Sequence, residues 1–167
     1  DAKFIAQRLR TALALRERLY ATPHYRLAHG ESDGLPGLVL DRYGDVIVGQ
    51  IATWGMERLQ RDIETAVEQV LAPRVFVWKN DGGARALEDL PTEFAAAWGE
   101  IPDELEVVET LTDGRALRFS TGLAAGQKTG WFYDQTFNRS LLPRFLKPGA
   151  RVLDVCSYAG GWAVTAA

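Results

Sequence analysis

The chain has 167 residues, enough for one average domain or for a small domain with part of another. A hydrophobic fraction of 47% with 25% charged residues supports a packed core and argues against disorder. No apolar run approaches the roughly 20 residues that span a bilayer, no signal-peptide pattern opens the chain, and the single cysteine, Cys156, excludes an internal disulfide. The formal net charge of −3 and pI near 5.4 give no overall attraction for nucleic acid, so any RNA-binding surface has to be local.

Residues 1–20 read as a helix, since Ile5, Leu9 and Leu13 recur four apart, with Lys3, Arg8, Arg10, Arg16 and Arg18 mostly elsewhere. Those cations suit either a solvated face or a phosphate contact. Thr22-Pro23 ends the helix, because the residue before proline is pushed out of the α region. Tyr25–Ala28, Leu38–Leu40 and Val46–Ile51 are strand candidates, the last two joined as a hairpin through Asp41–Asp45. Between the first two lies a segment dense in turn formers. Its Glu31-Ser32-Asp33 supplies too few ligands for a metal site and reads as a tight turn.

Met56, Leu59, Ile63, Val67 and Val70 recur at steps of three and four, predicting an amphipathic helix that ends near Leu71, before Pro73. Val75–Trp78 is the next strand, and residues 91–98 are expected to form a short helix. Two strands, 105–109 and 116–119, flank Thr112-Asp113-Gly114, where Asp-Gly is a strong hairpin signal. The order predicts a compact α+β module with a mixed sheet, spanning 23–119.

Residues 126–167 hold the candidate binding motifs. A turn-rich Gly126-Gln127-Lys128-Thr129-Gly130 leads into an aromatic cluster, Trp131-Phe132-Tyr133, and then a helix expected over 133–145. The apolar run Arg151–Cys156 is predicted as a strand that opens into Ser157-Tyr158-Ala159-Gly160-Gly161 and a helix start. Strand, small-residue turn and helix is how open α/β folds hold nucleotide-like ligands, although the same pattern also serves as a plain tight turn. No Gly-x-Gly-x-x-Gly is present, because Tyr158 stands where its first glycine would be. Asp154 is placed to order this loop or to meet a ligand's ammonium, and Cys156, within the apolar strand, is expected to be buried rather than nucleophilic.

Three stretches taken together resemble the S-adenosylmethionine-dependent 23S ribosomal RNA large-subunit cytosine-5 methyltransferases. They are Lys128-Thr129-Gly130-Trp131-Phe132-Tyr133-Asp134-Gln135, Leu153-Asp154-Val155-Cys156-Ser157-Tyr158-Ala159-Gly160-Gly161-Trp162, and Glu31-Ser32-Asp33-Gly34-Leu35-Pro36-Gly37-Leu38-Val39-Leu40-Asp41-Arg42-Tyr43. The chain departs from the family pattern at Thr136, where arginine is frequent, and at Asp89, where the family has glycine.

The resemblance implies an α+β central domain over 23–119, preceded by a linker helix over 1–22. Residues 120–167 would then be the first β-turn-α unit of a Rossmann-like methyltransferase domain. It implies S-adenosylmethionine as cofactor, held by Lys128, Thr129, Gln135, Asp154, Ser157, Tyr158, Gly160 and Gly161. It implies ribosomal RNA as substrate, a cytoplasmic location and no membrane, and it leaves room for a homodimer. Family members add a cysteine thiolate to cytosine C6 so that C5 can attack the methyl group. The resemblance puts that cysteine beyond Ala167, so the chain would be a fragment without catalytic residues, inactive by itself. An α+β module that docks RNA or self-associates, without enzymatic activity, is the alternative from another class.

Overall fold

A computed structural model describes all of residues 1–167. The order is α1 (Ala2–Leu19), β1 (His24–His29), β2 (Leu38–Tyr43), β3 (Val46–Ile51), α2 (Trp54–Glu57), α3 (Gln60–Leu71), β4 (Val75–Asn80), β5 (Glu93–Trp98), β6 (Glu104–Thr110), β7 (Ala116–Gly122), α4 (Thr136–Leu141) and α5 (Gly161–Ala166). Strands β1 to β5 form one sheet in sequence order, and β6–β7 form a separate hairpin. The large sheet is mixed: β3 and β4 run parallel across the helical crossover, and every other pair is antiparallel. No helix is long and apolar enough to cross a membrane.

Alternation along the inner strands decides what covers each face. From β3 and β4, Ile47, Ile51, Phe76 and Trp78 join the core under α1 and α3, with Ile5, Leu9, Ile63 and Val67. Val46, Val48, Val75 and Val77 point the other way and pack on Leu105, Val107, Phe119, Leu123 and Trp131. The hairpin and the segment after it therefore form a third layer. Every residue of β4 is buried as a result.

Local signals explain most boundaries. The Asp1 carboxylate caps α1 by accepting from the Lys3 amide at 2.8 Å. Thr53 caps α2, and α3 stops where Ala72 turns left-handed with φ 42°, ahead of Pro73. The expected helix over 56–71 is thus two helices. Glu31-Ser32-Asp33 is a turn of 3₁₀ helix whose Asp33 carboxylate is held by Arg16 at 2.6 and 2.8 Å. Asp89, in the place of the family glycine, takes a left-handed φ of 54°, a conformation aspartate tolerates. Beside it Arg85 is buried and donates to Glu57, to Ile51 O and to Pro91 O.

Four expectations are corrected. Residues 91–98 do not form a helix: Glu93–Trp98 is β5, antiparallel to β4. The three alanines favour helix locally, but an inner strand such as β4 needs a partner on its second edge, and tertiary pairing overrides propensity. Trp98 anchors the strand by stacking edge-on to Phe76 at 5.2 Å and donating to Pro73 O at 3.0 Å.

Residues 133–145 are not one helix but a 3₁₀ turn, the short α4 and a second 3₁₀ turn over Leu142–Phe145. Pro143 has no N–H to continue an α ladder. The strand predicted over Arg151–Cys156 is not formed: the run pairs with no other strand, and Leu153 and Val155 are 86% and 72% exposed. Without a partner strand its backbone has no ladder to join. For the same reason Cys156, expected to be buried, is exposed.

Candidate functional site

After β7 the chain turns back over the valine-rich face of the sheet, and a set of hydrogen bonds fixes its path. Thr121 Oγ1 donates to Gly130 O at 3.0 Å and Tyr43 OH to Thr129 O at 3.2 Å. The Thr129 hydroxyl donates to Asp41, a fully buried carboxylate that also takes two hydrogen bonds of 2.9 Å from Arg26. Tyr133 OH donates to Arg42 O at 2.8 Å. Burial, reinforced by the Asp41 charge, holds both Tyr43 and Tyr133 phenols well above their ordinary pKa of 10.0. They stay neutral donors.

The next anchor is Glu109 on β6. Its carboxylate accepts from Trp131 Nε1 at 2.7 Å, from Thr136 Oγ1 at 2.6 Å, and from Arg139 Nε at 2.9 Å and Nη2. Arg139, on α4, also donates to Phe132 O at 3.1 Å and lies over the Trp131 ring at 4.9 Å. Both members of the ion pair are buried.

The loop before α5 closes over this floor. Tyr158 OH reaches Thr121 Oγ1 at 2.8 Å and Gly130 O at 3.0 Å, and its ring meets Phe132 edge-on at 5.7 Å. Asp154 accepts from the Ala163 amide at 3.0 Å, so it orders the start of α5. Gly160 turns left-handed, with φ 73°. Lys128, Cys156 and Tyr158 are also left-handed, at φ 52°, 61° and 51°. Two such non-glycine residues lie in this loop and a third in the 126–130 turn, and left-handed non-glycine residues of this kind cluster at functional sites.

Between floor and loop is a cleft of about 210 Å³, walled by Gln127, Trp131, Phe132, Gln135, Arg139 and residues 156–158 and 161–162. Of the predicted site residues, Gln135, Ser157, Tyr158 and Gly161 line it. Lys128 sits at the rim, its ammonium 4.4 Å from the centre of the Phe132 ring. Gly160 shapes the loop and Asp154 braces it from outside, while Thr129 is buried behind the wall.

Partial burial opposes the Asp134 charge. The hydrogen bond from Gln135 and the nearby Lys128 and Arg26 charges outweigh it and hold the carboxyl below 3.8. Arg139 enters the cleft wall although it is not among the site residues expected from the sequence, and Glu109 carries no local signal at all. Nowhere in the chain are three His, Cys, Asp or Glu side chains grouped to hold a metal ion.

No family model matches the chain. It is 32% identical over 169 residues to ribosomal RNA large subunit methyltransferase I of Tolumonas auensis, and 35% identical over 170 residues to the protein of the same name in Aeromonas hydrophila. Each alignment takes in 99% of this chain and 42% of the relative, so the chain spans about two fifths of the length of the curated relatives it matches. In fold it is similar to a Streptococcus mutans protein provisionally assigned as a SAM-dependent methyltransferase, with a TM-score of 0.79 at 23% identity. That likeness covers 99% of this chain and 42% of the other. The mixed α+β arrangement is thus shared with a solved protein, and the sequence likeness runs through 99% of the chain.

Proposed function

We propose that this chain belongs to an S-adenosylmethionine-dependent RNA methyltransferase that transfers a methyl group to C5 of a cytosine in large-subunit ribosomal RNA, in the cytoplasm. In this reading 23–119 is the central domain and 120–167 begins the methyltransferase domain. The observation that carries it is the 32–35% identity, sustained over 99% of the chain, to proteins named ribosomal RNA large subunit methyltransferase I. The donor set of the cleft fits one end of such a cofactor: aromatic walls at Phe132 and Tyr158, an amide at Gln135, a hydroxyl at Ser157 and a guanidinium at Arg139. Its volume of about 210 Å³ falls below the roughly 300–1,000 Å³ typical of complete ligand sites, so these residues hold part of the molecule.

Bound there, the cofactor supplies an electrophilic methyl on sulfur. The role of this chain is to bind and orient: the Ser157–Gly161 loop folds over the ligand, and Asp154 fixes the turn from which it does so. No group here is assigned to bond making.

Calorimetric titration of S-adenosylhomocysteine into the intact protein, with and without Gly160→Val, tests the reading. A β-branched residue cannot hold the left-handed turn at 160, so the variant is expected to lose at least about tenfold in affinity, roughly 1.4 kcal/mol. Equal affinity in the two proteins would defeat it.

A further inference from the structure

We infer that Arg139 is an oxygen-reading residue of the cleft, matched to a single carboxylate, and that Glu109 on the β6–β7 hairpin is its positioning residue. The inference rests on the reading of the cleft as a methyl-donor site, and it names the end of the donor that the cleft grips.

The guanidinium has five N–H donors in a fixed fork. Nε and Nη2 are taken by Glu109, Phe132 O and Thr136 Oγ1. Nη1 makes no hydrogen bond within the protein. Yet the sole buried side-chain polar atom lacking a partner is His24 Nδ1, so Nη1 of this otherwise buried residue is open to solvent. Arg139 lines the cleft, and the opening at Nη1 is assigned to that side. Two N–H groups therefore remain for an incoming oxygen, on a side chain that is otherwise immobilised.

Charge narrows the class of ligand. Arg139 is the only cationic residue among those lining the cleft, and Glu109 already offsets its charge. A phosphate, with two charges and three oxygens, calls for more cations than this; one carboxylate oxygen suits one partly compensated guanidinium. The amino-acid end of a methionine-derived donor carries such a group. Gly161 packs directly on the same side chain, since a Cβ there would lie 3.2 Å from Arg139 Cδ and 3.3 Å from Trp131 Cη2. The loop and the guanidinium thus approach one another without an intervening side chain.

Glu109 acts through Arg139. It fixes the plane of the fork from one side, and Trp131 holds it by stacking. This makes the hairpin a working part of the site rather than a cover for the sheet.

The test compares two ligands on the intact protein: S-adenosylhomocysteine, which has the carboxylate, and 5′-methylthioadenosine, which keeps adenosine and sulfur but lacks it. In Arg139→Lys a single ammonium can serve Glu109 but cannot also reach the cleft. Its affinity for S-adenosylhomocysteine is expected to fall by at least about tenfold, with 5′-methylthioadenosine within about twofold. Glu109→Gln should show the same ligand-selective loss, a pattern that general destabilisation would not produce.

If melting curves show that Arg139→Lys does not fold, the pair Arg139→Met with Glu109→Leu, which leaves no lone buried charge, carries the comparison. Undiminished binding of S-adenosylhomocysteine, or equal loss of both ligands by a folded variant, overturns the inference and leaves the methyl-donor reading standing. Failure of the unaltered protein to bind S-adenosylhomocysteine overturns both.

Discussion

The hydroxyl of Thr129 donates to the carboxylate of Asp41, a residue 88 positions earlier that is wholly shut off from solvent. Arg26 pairs with the same carboxylate through two hydrogen bonds of 2.9 Å. The turn that leads into the cleft is therefore tied to the centre of the β1–β2–β3 sheet by a charged group, and its position depends on strands formed near the start of the chain.

Removing either end of this tie should have unequal effects. Thr129→Val deletes one donor to a buried charge and is expected to cost about 1.5–3 kcal/mol. Asp41→Ala leaves Arg26 without its partner and should cost more, about 3–5 kcal/mol. Urea unfolding of the three proteins measures both; a Thr129→Val curve superimposing on the parent would show that the contact is idle.

Gly49, on β3, faces the aromatic pair Phe76 and Trp78, whose rings lie 4.6 Å apart. A Cβ at this position would lie 2.6 Å from Trp78 Cζ3 and 2.9 Å from Phe76 Cε2. Gly49→Ala should therefore destabilise by about 1–3 kcal/mol through overpacking, despite the usual gain from replacing glycine in a strand. The companion change Trp78→Leu opens space, so the double variant should be less harmful than the two separate costs added. Additive losses in a double-mutant cycle would refute the steric cause.

A pH effect is expected at His24. Burial lowers its pKa from the ordinary 6.5; the Glu106 charge opposes this, and Arg42 and Arg118 act with burial. The folded protein then binds fewer protons than the unfolded chain between the depressed pKa and 6.5, so stability is lost as pH falls below 6.5. His24→Gln should flatten that part of the stability–pH curve. An unchanged slope between pH 7 and 5 would exclude His24 as the source.

Much of the architecture was legible because it is written in short periods. The four-residue spacing of Ile5 and Leu9 gave α1, the steps from Met56 to Val70 gave the helical crossover though not its break into α2 and α3, and Asp113-Gly114 gave the β6–β7 hairpin. What failed depends on partners far along the chain. Ala95, Ala96 and Ala97 look helical until the second edge of β4 pairs with β5, and Val152–Val155 looks like a strand although it pairs with no other strand.

The cleft was half legible. Gln135, Ser157, Tyr158 and Gly161 follow from the loop motifs and do converge. Glu109 could not be found that way, since it meets Arg139 from 30 positions earlier in the chain.

The neighbouring glycines of the loop make the last prediction, because they are needed for different reasons. Gly160 is left-handed with φ 73°, but a Cβ there would meet only Val164 Cγ2 at 3.8 Å, which is ordinary contact. Its constraint is backbone conformation, and asparagine is among the residues that tolerate it. At Gly161, by contrast, a side chain would press on Arg139 and Trp131 at 3.2 and 3.3 Å. Gly160→Asn should thus change stability by no more than about 1 kcal/mol, whereas Gly161→Asn, on the tightly held Arg139 and Trp131 side chains, is expected to lift the loop from its floor. Lifting should expose Trp131, now 2% accessible, to a soluble quencher. Tryptophan quenching in the two variants reads this directly, with a Trp131→Phe background identifying the signal. Equal quenching in both would mean that the loop does not rest on the arginine–tryptophan pair.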